Sequence, residues 1–337
     1  MPNADAGGER RDQAAGKMNG LRFHSLGHFS LESGAVLESA ALAYVTDGAL
    51  NAAGDNVVLV PSYYSGTHAS YAKWIGPGRA LDTKKYFVVR TNMLGNGLST
   101  SPSNYPGSFP FVSIGDNVRA QFDLLTRGLG ISRIALAVGW SLGAMQSLHW
   151  GMTYPGMVAR VMAVCGTTYC WPLNAVFLHG LAPVLEAAGT LREDAALRMF
   201  GRAYAGWAYS ASFFREELYR ALGFADVEAL LRSWEQDHLE HRAVDLLAAL
   251  NTWRGAALPN QQVRDAALGR LQARCLLMPC ETDVYFTVEE ARLEAAAMPC
   301  AEVVPMASPF GHCAGAPGRF AAETRLIEAQ MQALLST

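Results

Sequence analysis

The chain has 337 residues, half of them apolar and 17% charged, with a formal net charge of −3 at pH 7. That length suits one large α/β domain or a domain carrying an insertion, while the charge gives no basic footprint for nucleic acid and no apolar run reaches membrane-spanning length. The low charged share points to deep burial together with an apolar pocket or a subunit interface. Residues 1–18 are polar and Gly/Ala-rich, contain Glu9-Arg10-Arg11-Asp12 and lack the apolar stretch of a secretory signal, so they read as the disordered tail of a cytoplasmic protein.

Loose alternation from Leu21 to Val45 predicts antiparallel strands that open a sheet. Asn56 to Val60, ending at Pro61, reads as a strand buried on both faces, and the loop Ser62-Tyr63-Tyr64-Ser65-Gly66 opens at its carboxyl end, where open α/β sheets bind ligands. Tyr86 to Arg90 is a further buried strand. Met93 to Pro110 has no periodicity and is expected to be an ordered surface loop; no Gly-Lys-Ser/Thr follows its glycines, so it is not a phosphate loop. Ile114, Val118, Phe122, Leu125 and Leu129 recur at helical spacing. Gly128-Leu129-Gly130 precedes the next strand rather than following it, which excludes a dinucleotide fingerprint.

That strand, Ile134 to Val138, feeds Gly139-Trp140-Ser141-Leu142-Gly143, and Ala144 to Trp150 read as helix. Strand, tight turn and helix make a nucleophile elbow. The two glycines leave room where a side chain would clash, the Ser141 hydroxyl stands exposed, and the Leu142 N–H at the helix start faces a developing oxyanion. A second N–H is expected from Tyr64; the alternative is that the two tyrosines merely line a wall of the cleft. After a strand at Arg160 to Cys165, residues 168–257 are helical and rich in aromatics, which predicts a lid over the sheet edge that carries Ser141. Asp237-His238-x-Glu240-His241 within it resembles a ligand set but reads as a solvated helix face.

The sheet resumes at Ala273 to Pro279, and Asp283 lies in the loop behind that strand. A last strand, Ala301 to Pro305, leads to His312, and Arg319 to Leu335 is an amphipathic helix. A serine hydroxyl needs an imidazole base held by a buried carboxylate. Of eight histidines only His312 lies in a Gly-flanked loop after the final strand, and Ser141, Asp283, His312 is the chain order of an α/β-hydrolase. Glu281 is the alternative acid. The six cysteines, Cys165, Cys170, Cys275, Cys280, Cys300 and Cys313, have neither zinc nor redox spacing and are expected to be reduced thiols, with Cys313 a small apolar filler. No metal and no cofactor is called for.

Several stretches are together more specific than the elbow: Trp74-Ile75-Gly76-Pro77-Gly78-Arg79-Ala80-Leu81-Asp82-Thr83, Asn92-Met93-Leu94-Gly95, Val118-Arg119-Ala120-Gln121, and the elbow with Met145-Gln146. With Asp283 and His312 they resemble the homoserine O-acetyltransferase family of α/β-hydrolases. The resemblance implies an α/β-hydrolase fold with a mostly parallel central sheet flanked by helices, a core over residues 19–167 and 258–337, and a helical lid over 168–257 that forms a homodimer interface. It also implies a Ser141-His312-Asp283 triad and an oxyanion hole from Leu142 and Tyr64.

Two departures redirect the function. The family holds its amino-acid acceptor with an arginine on the first lid helix and an aspartate after the catalytic histidine, and here those positions fall on Ala182 and Cys313. Losing two charge-assisted contacts, each worth about 1.5–3 kcal/mol, disfavours a zwitterion. The pocket, expected to be lined by Tyr63, Trp140, Phe177, Ala182, Tyr285 and Cys313, should be smaller and more apolar on both its acyl and alcohol sides. The expectation is therefore a serine carboxylester hydrolase for small, uncharged, acetyl-type esters, like the homoserine-transacetylase-like esterases. The alternatives are an acetyl-CoA-dependent O-acyltransferase with a non-zwitterionic acceptor and a non-catalytic ligand-binding protein on the same fold. The partner is a small-molecule ester, not nucleic acid or a membrane.

Overall fold

The computed structural model describes residues 20–337, and the tail expected over 1–18 lies outside them. The architecture grows from four short strands. β3 (Val57–Pro61) and β5 (Leu136–Trp140) are buried at every position, β6 (Arg160–Val164) and β7 (Arg274–Met278) at all but the first. Such strands need cover on both faces, and a parallel sheet between helical layers supplies it. With β1 (Arg22–Ser30), β2 (Val36–Asp47), β4 (Phe87–Thr91) and β8 (Ala301–Val303) they form a sheet in the order β1-β2-β4-β3-β5-β6-β7-β8. β2 runs antiparallel to both β1 and β4, and every neighbouring pair from β4 to β8 is parallel.

The helices in chain order are α1 (Ile114–Asp123), α2 (Leu142–Thr153), α3 (Pro172–Glu186), α4 (Glu193–Ala208), α5 (Ala211–Arg215), α6 (Val227–His238), α7 (Ala243–Gly255), α8 (Gln261–Leu268), α9 (Val288–Ala295) and α10 (Ala321–Leu335). One buried cluster joins α1 and α2 to the segment between β6 and β7; another, on the opposite face, packs Ile327, Met331 and Leu334 of α10 with Tyr71 and Trp74. No helix among the described residues is long and apolar enough to cross a membrane.

Helices α3 to α8 separate β6 from β7. The α3–α7 segment closes where it leaves and rejoins the core: the Cys170 N–H donates to the Ala256 carbonyl at 2.7 Å. Glu294 of α9 holds its entrance from below. Its fully buried carboxylate accepts from the N–H of Thr168 at 2.6 Å, the N–H of Tyr169 at 3.2 Å and the indole N–H of Trp171 at 3.0 Å. Burial pushes the pKa of Glu294 up.

Residues 93–110 are not a surface loop throughout. Met93, Leu94, Ser99 and Ser101 are buried. Their polar groups find internal partners: the Met93 N–H donates to Ser62 Oγ at 3.0 Å, the Leu94 N–H to Asn117 Oδ1 at 2.7 Å, and Ser103 Oγ to Asp245 of α7 at 2.5 Å. Hydrophilic composition concealed burial because hydroxyls and amides can satisfy one another inside.

Candidate active site

Ser141 adopts φ 58° and ψ −128°, a strained conformation for a residue with a side chain. The strain is held by close packing. A Cβ on Gly139 would lie 2.3 Å from the Gly143 backbone, and one on Gly143 would lie 2.5 Å from Tyr71 Oη and 2.6 Å from the Pro61 carbonyl oxygen. Tyr71 Oη also accepts the Trp140 N–H at 3.0 Å. The elbow is thus wedged between β3 and its own helix.

His312 Nε2 stands 2.9 Å from Ser141 Oγ, and its Nδ1 stands 2.7 Å from Asp283 Oδ2. All three residues are buried. The other carboxylate oxygen of Asp283 accepts the N–H groups of Tyr285 and Phe286, both at 3.1 Å. A carboxylate can only accept, so Nδ1 carries the imidazole proton and Nε2 offers its lone pair to the serine hydroxyl. Three rings hold the imidazole: Trp140 at 5.0 Å and Phe286 at 5.5 Å between centroids are stacked on it, and Tyr285 at 4.5 Å is tilted against it. Glu281, the alternative acid, is exposed to solvent.

Two backbone N–H groups complete the arrangement. Neither that of Leu142, at the start of α2, nor that of Tyr64 has an acceptor among the described residues. The Tyr64 loop is tied to the elbow by a relay: Trp150 Nε1 donates to Gln121 Oε1, Gln121 Nε2 to Gln146 Oε1, both at 2.7 Å, and Gln146 Nε2 to the Ser62 carbonyl at 2.8 Å. The Gln121 and Gln146 motifs thereby acquire a physical reason.

A cavity of about 60 Å³ adjoins Ser141 and His312, lined also by Tyr63, Tyr64, Trp140, Tyr285 and Cys313, with Tyr204, Ala208, Trp234 and His238 contributed by the helical segment between β6 and β7. Four features depart from the expected pocket. Phe177 does not line the cavity but stacks behind Tyr285 at 4.7 Å, and Ala182 is buried in the helical packing. Tyr204, Trp234 and His238 take the wall instead. His238 is not on a solvated face: it is buried against Trp234, Phe200 and Tyr204, its Nδ1 2.7 Å from the Trp234 carbonyl. An adjoining cavity carries the polar side chains Asp237, Glu240, His241 and Arg319.

Cys313 is buried beside His312, and burial pushes its thiol up to about 11. Cys165 is also buried, and burial together with the charge of Asp283 raises its thiol. Cys165, Asp283 and His312 offer ligand atoms within 4.8 Å of one another. Two of these three already share a hydrogen bond within the Ser141 arrangement.

A family model described as alpha/beta hydrolase fold matches residues 55–265. An ethyl acetate hydrolase of Pseudomonas veronii is 34% identical over 334 residues, covering 93% of this chain and 95% of the relative. The solved structure of the acetyl esterase MekB superposes with a TM-score of 0.90 at 33% identity, covering 94% of this chain and 97% of that one. A homoserine O-acetyltransferase of Moorella thermoacetica is 42% identical, but over 173 residues that cover 44% of this chain and 46% of the relative. In sequence the full-length likeness is to esterases and that to the acetyltransferase spans less than half of either chain, while in fold alone a homoserine O-acetyltransferase of Bacillus anthracis also superposes over 94% of this chain with a TM-score of 0.78 at 20% identity.

Proposed function

The chain belongs to the α/β-hydrolase family, and we propose that it is a serine carboxylester hydrolase for small, uncharged, acetyl-type acyl groups, akin to the homoserine-transacetylase-like esterases. The observation that carries the reading is the continuous relay from Ser141 Oγ through His312 to Asp283, at 2.9 and 2.7 Å, beside a cavity of about 60 Å³.

In this reading His312 Nε2 takes the Ser141 proton as Oγ attacks the ester carbonyl. The oxyanion is held by the N–H groups of Leu142 and Tyr64, positioned donors of the kind worth about 2.7–4 kcal/mol each. His312 then gives the proton to the leaving alcohol, which leaves an acyl-Ser141. A water, deprotonated by the same nitrogen, attacks the acyl carbon and releases the carboxylic acid, and the proton returns to Ser141. Asp283 holds the imidazole tautomer and offsets the imidazolium charge. Trp234 and Tyr204 limit the acyl chain.

The segment over 168–257 acts as the lid, and a homodimer through it is supported by exposed apolar side chains, Leu173 and Val176 of α3 and Val244 of α7, the last lining one groove with Phe111. p-Nitrophenyl acetate turnover by the wild type and Ser141→Ala tests the reading, with a fluorophosphonate probe mapped by peptide mass spectrometry. Turnover should fall by about 10³ or more in the variant, and the label should sit on Ser141. Equal turnover in both proteins would overturn it.

A further inference from the structure

The cavity adjoining the catalytic one is larger, about 440 Å³, and Tyr63, Ser65, Trp140, Trp234, His238 and Cys313 line both. It is therefore the vestibule to Ser141. Trp140, which stacks on His312, and Cys313, the next residue in the chain, stand between the vestibule and the smaller cavity that the imidazole lines. The imidazole protonates the departing oxygen, which places the alcohol part of the ester in this space.

Arg319 stands in the vestibule wall. Its Nη2 donates to Tyr209 Oη at 2.6 Å, and the guanidinium carbon lies 5.7 and 5.9 Å from the ring centres of Tyr209 and Phe320. No carboxylate of the described residues comes within 4 Å of it, whereas Arg90, also near a sheet edge, is paired with Asp47 at 2.8 Å. A hydroxyl and two ring faces orient the guanidinium, the charge of Asp237 acts on it from farther away, and among the described residues most of its five N–H donors meet no acceptor. That planar fork is matched in geometry to a carboxylate.

We propose that Arg319 forms an anion-recognising subsite for the leaving group, and that the esters this chain cleaves best carry a carboxylate on the alcohol side and a small uncharged group on the acyl side. The proposal rests on the reading of Ser141 as the esterase nucleophile. Asp237 lines the same vestibule and its charge already acts on Arg319, so the preference is set near tenfold, the low end for a charge-assisted contact.

The test compares kcat/KM for acetoxyacetate, 3-acetoxypropanoate and 4-acetoxybutanoate with that for the matching primary amides, each rate divided by its hydroxide-catalysed rate. The wild type should favour the carboxylate about tenfold at one spacer length at least. Arg319→Met should bring that ratio to about one whatever its absolute rates, Arg319→Lys should keep part of it, and Tyr209→Phe, which frees the guanidinium, should reduce it. A wild-type ratio below about two at all three lengths overturns the subsite, and so does a ratio unchanged in Arg319→Met. If Ser141→Ala hydrolyses the amide-bearing esters as fast as the wild type, the esterase reading itself has failed.

Discussion

Replacing Asp283 with Asn changes one atom and should disable the site while leaving the fold intact. The carboxylate has three fixed donors around it: the N–H groups of Tyr285 and Phe286 on one oxygen and His312 Nδ1 on the other. An asparagine has one oxygen to give. Turned toward His312, it would set the right tautomer but press its NH₂ against two buried N–H groups, each then unsatisfied at about 1–3 kcal/mol. Turned the other way, it satisfies both backbone donors and donates to Nδ1. The imidazole proton then moves to Nε2 and points at Ser141, where it cannot accept the serine proton. The second orientation is favoured by about 2–6 kcal/mol, so the wrong tautomer dominates. The expected loss is on the order of 10⁴ in kcat, about 5.5 kcal/mol, with KM nearly unchanged, as for the same change in a serine protease triad. Steady-state hydrolysis of p-nitrophenyl acetate measures it, with circular dichroism to verify folding and Glu281→Gln as control. Glu281 is exposed, so that variant should stay near wild-type activity. A kcat for Asp283→Asn above about a tenth of wild type, or an equal fall in Glu281→Gln, would refute the reasoning.

Trp234→Ala should enlarge the acyl cavity, raising kcat/KM for p-nitrophenyl butyrate relative to acetate by about tenfold or more, from about 0.8 kcal/mol for each of two accommodated methylenes; the ratio of the two substrates reads it. Gly143→Ala forces a methyl to within 2.6 Å of Tyr71 Oη and the Pro61 carbonyl, so its melting midpoint should fall by an amount corresponding to about 1–3 kcal/mol. Glu294→Gln places an amide NH₂ against one of three donors and should destabilise by about 1–3 kcal/mol in urea titrations. Because the folded pKa of Glu294 is raised, its contribution is fully present below the unfolded value of about 4.5 and is lost as pH rises through the folded one. The stability gap between wild type and Glu294→Gln should therefore narrow from about pH 4 toward neutrality. Iodoacetamide at about pH 8 should leave esterase activity unchanged and label Cys300, the exposed cysteine, because burial keeps the Cys313 and Cys165 thiols protonated.

The positions of Ser141 and Asp283 are legible because each follows a strand with a buried apolar run, whereas His312 follows the short strand Ala301-Glu302-Val303 and is marked by its Gly-flanked loop; a parallel sheet delivers all such loops to one edge. The elbow adds its own steric signature in Gly139 and Gly143. The pocket wall was harder to read. In α3 apolar residues occupy every face, so periodicity cannot say whether Phe177 and Ala182 meet a cavity or packed side chains; Phe177 meets Tyr204 and Trp253 of neighbouring helices and Tyr285 of the loop after β7, and Ala182 is buried. His238 sits in a charged run, Asp237 to Arg242, yet the aromatic residues Phe200, Tyr204 and Trp234 bury it, contacts made by tertiary packing alone. Glu294 is a carboxylate with no exposed surface, and burial of that kind leaves no trace in composition. Its helix does leave one: Thr287-Val288-Glu289-Glu290 spells a capping box, and both of its reciprocal hydrogen bonds form. Arg319, outside every motif, gains its interest only from the vestibule in which the fold sets it.

The most direct test of the central claim follows the acyl group itself. The wild type is mixed with p-nitrophenyl acetate, quenched in the first turnover, digested and mass-mapped, and the steady-state products are then identified with and without added homoserine. An acetyl group on the Ser141 peptide, followed by free acetate in amounts that homoserine does not change, is the predicted result. Acetyl on another residue, no acetyl in the first turnover, or O-acetylhomoserine among the products would contradict it.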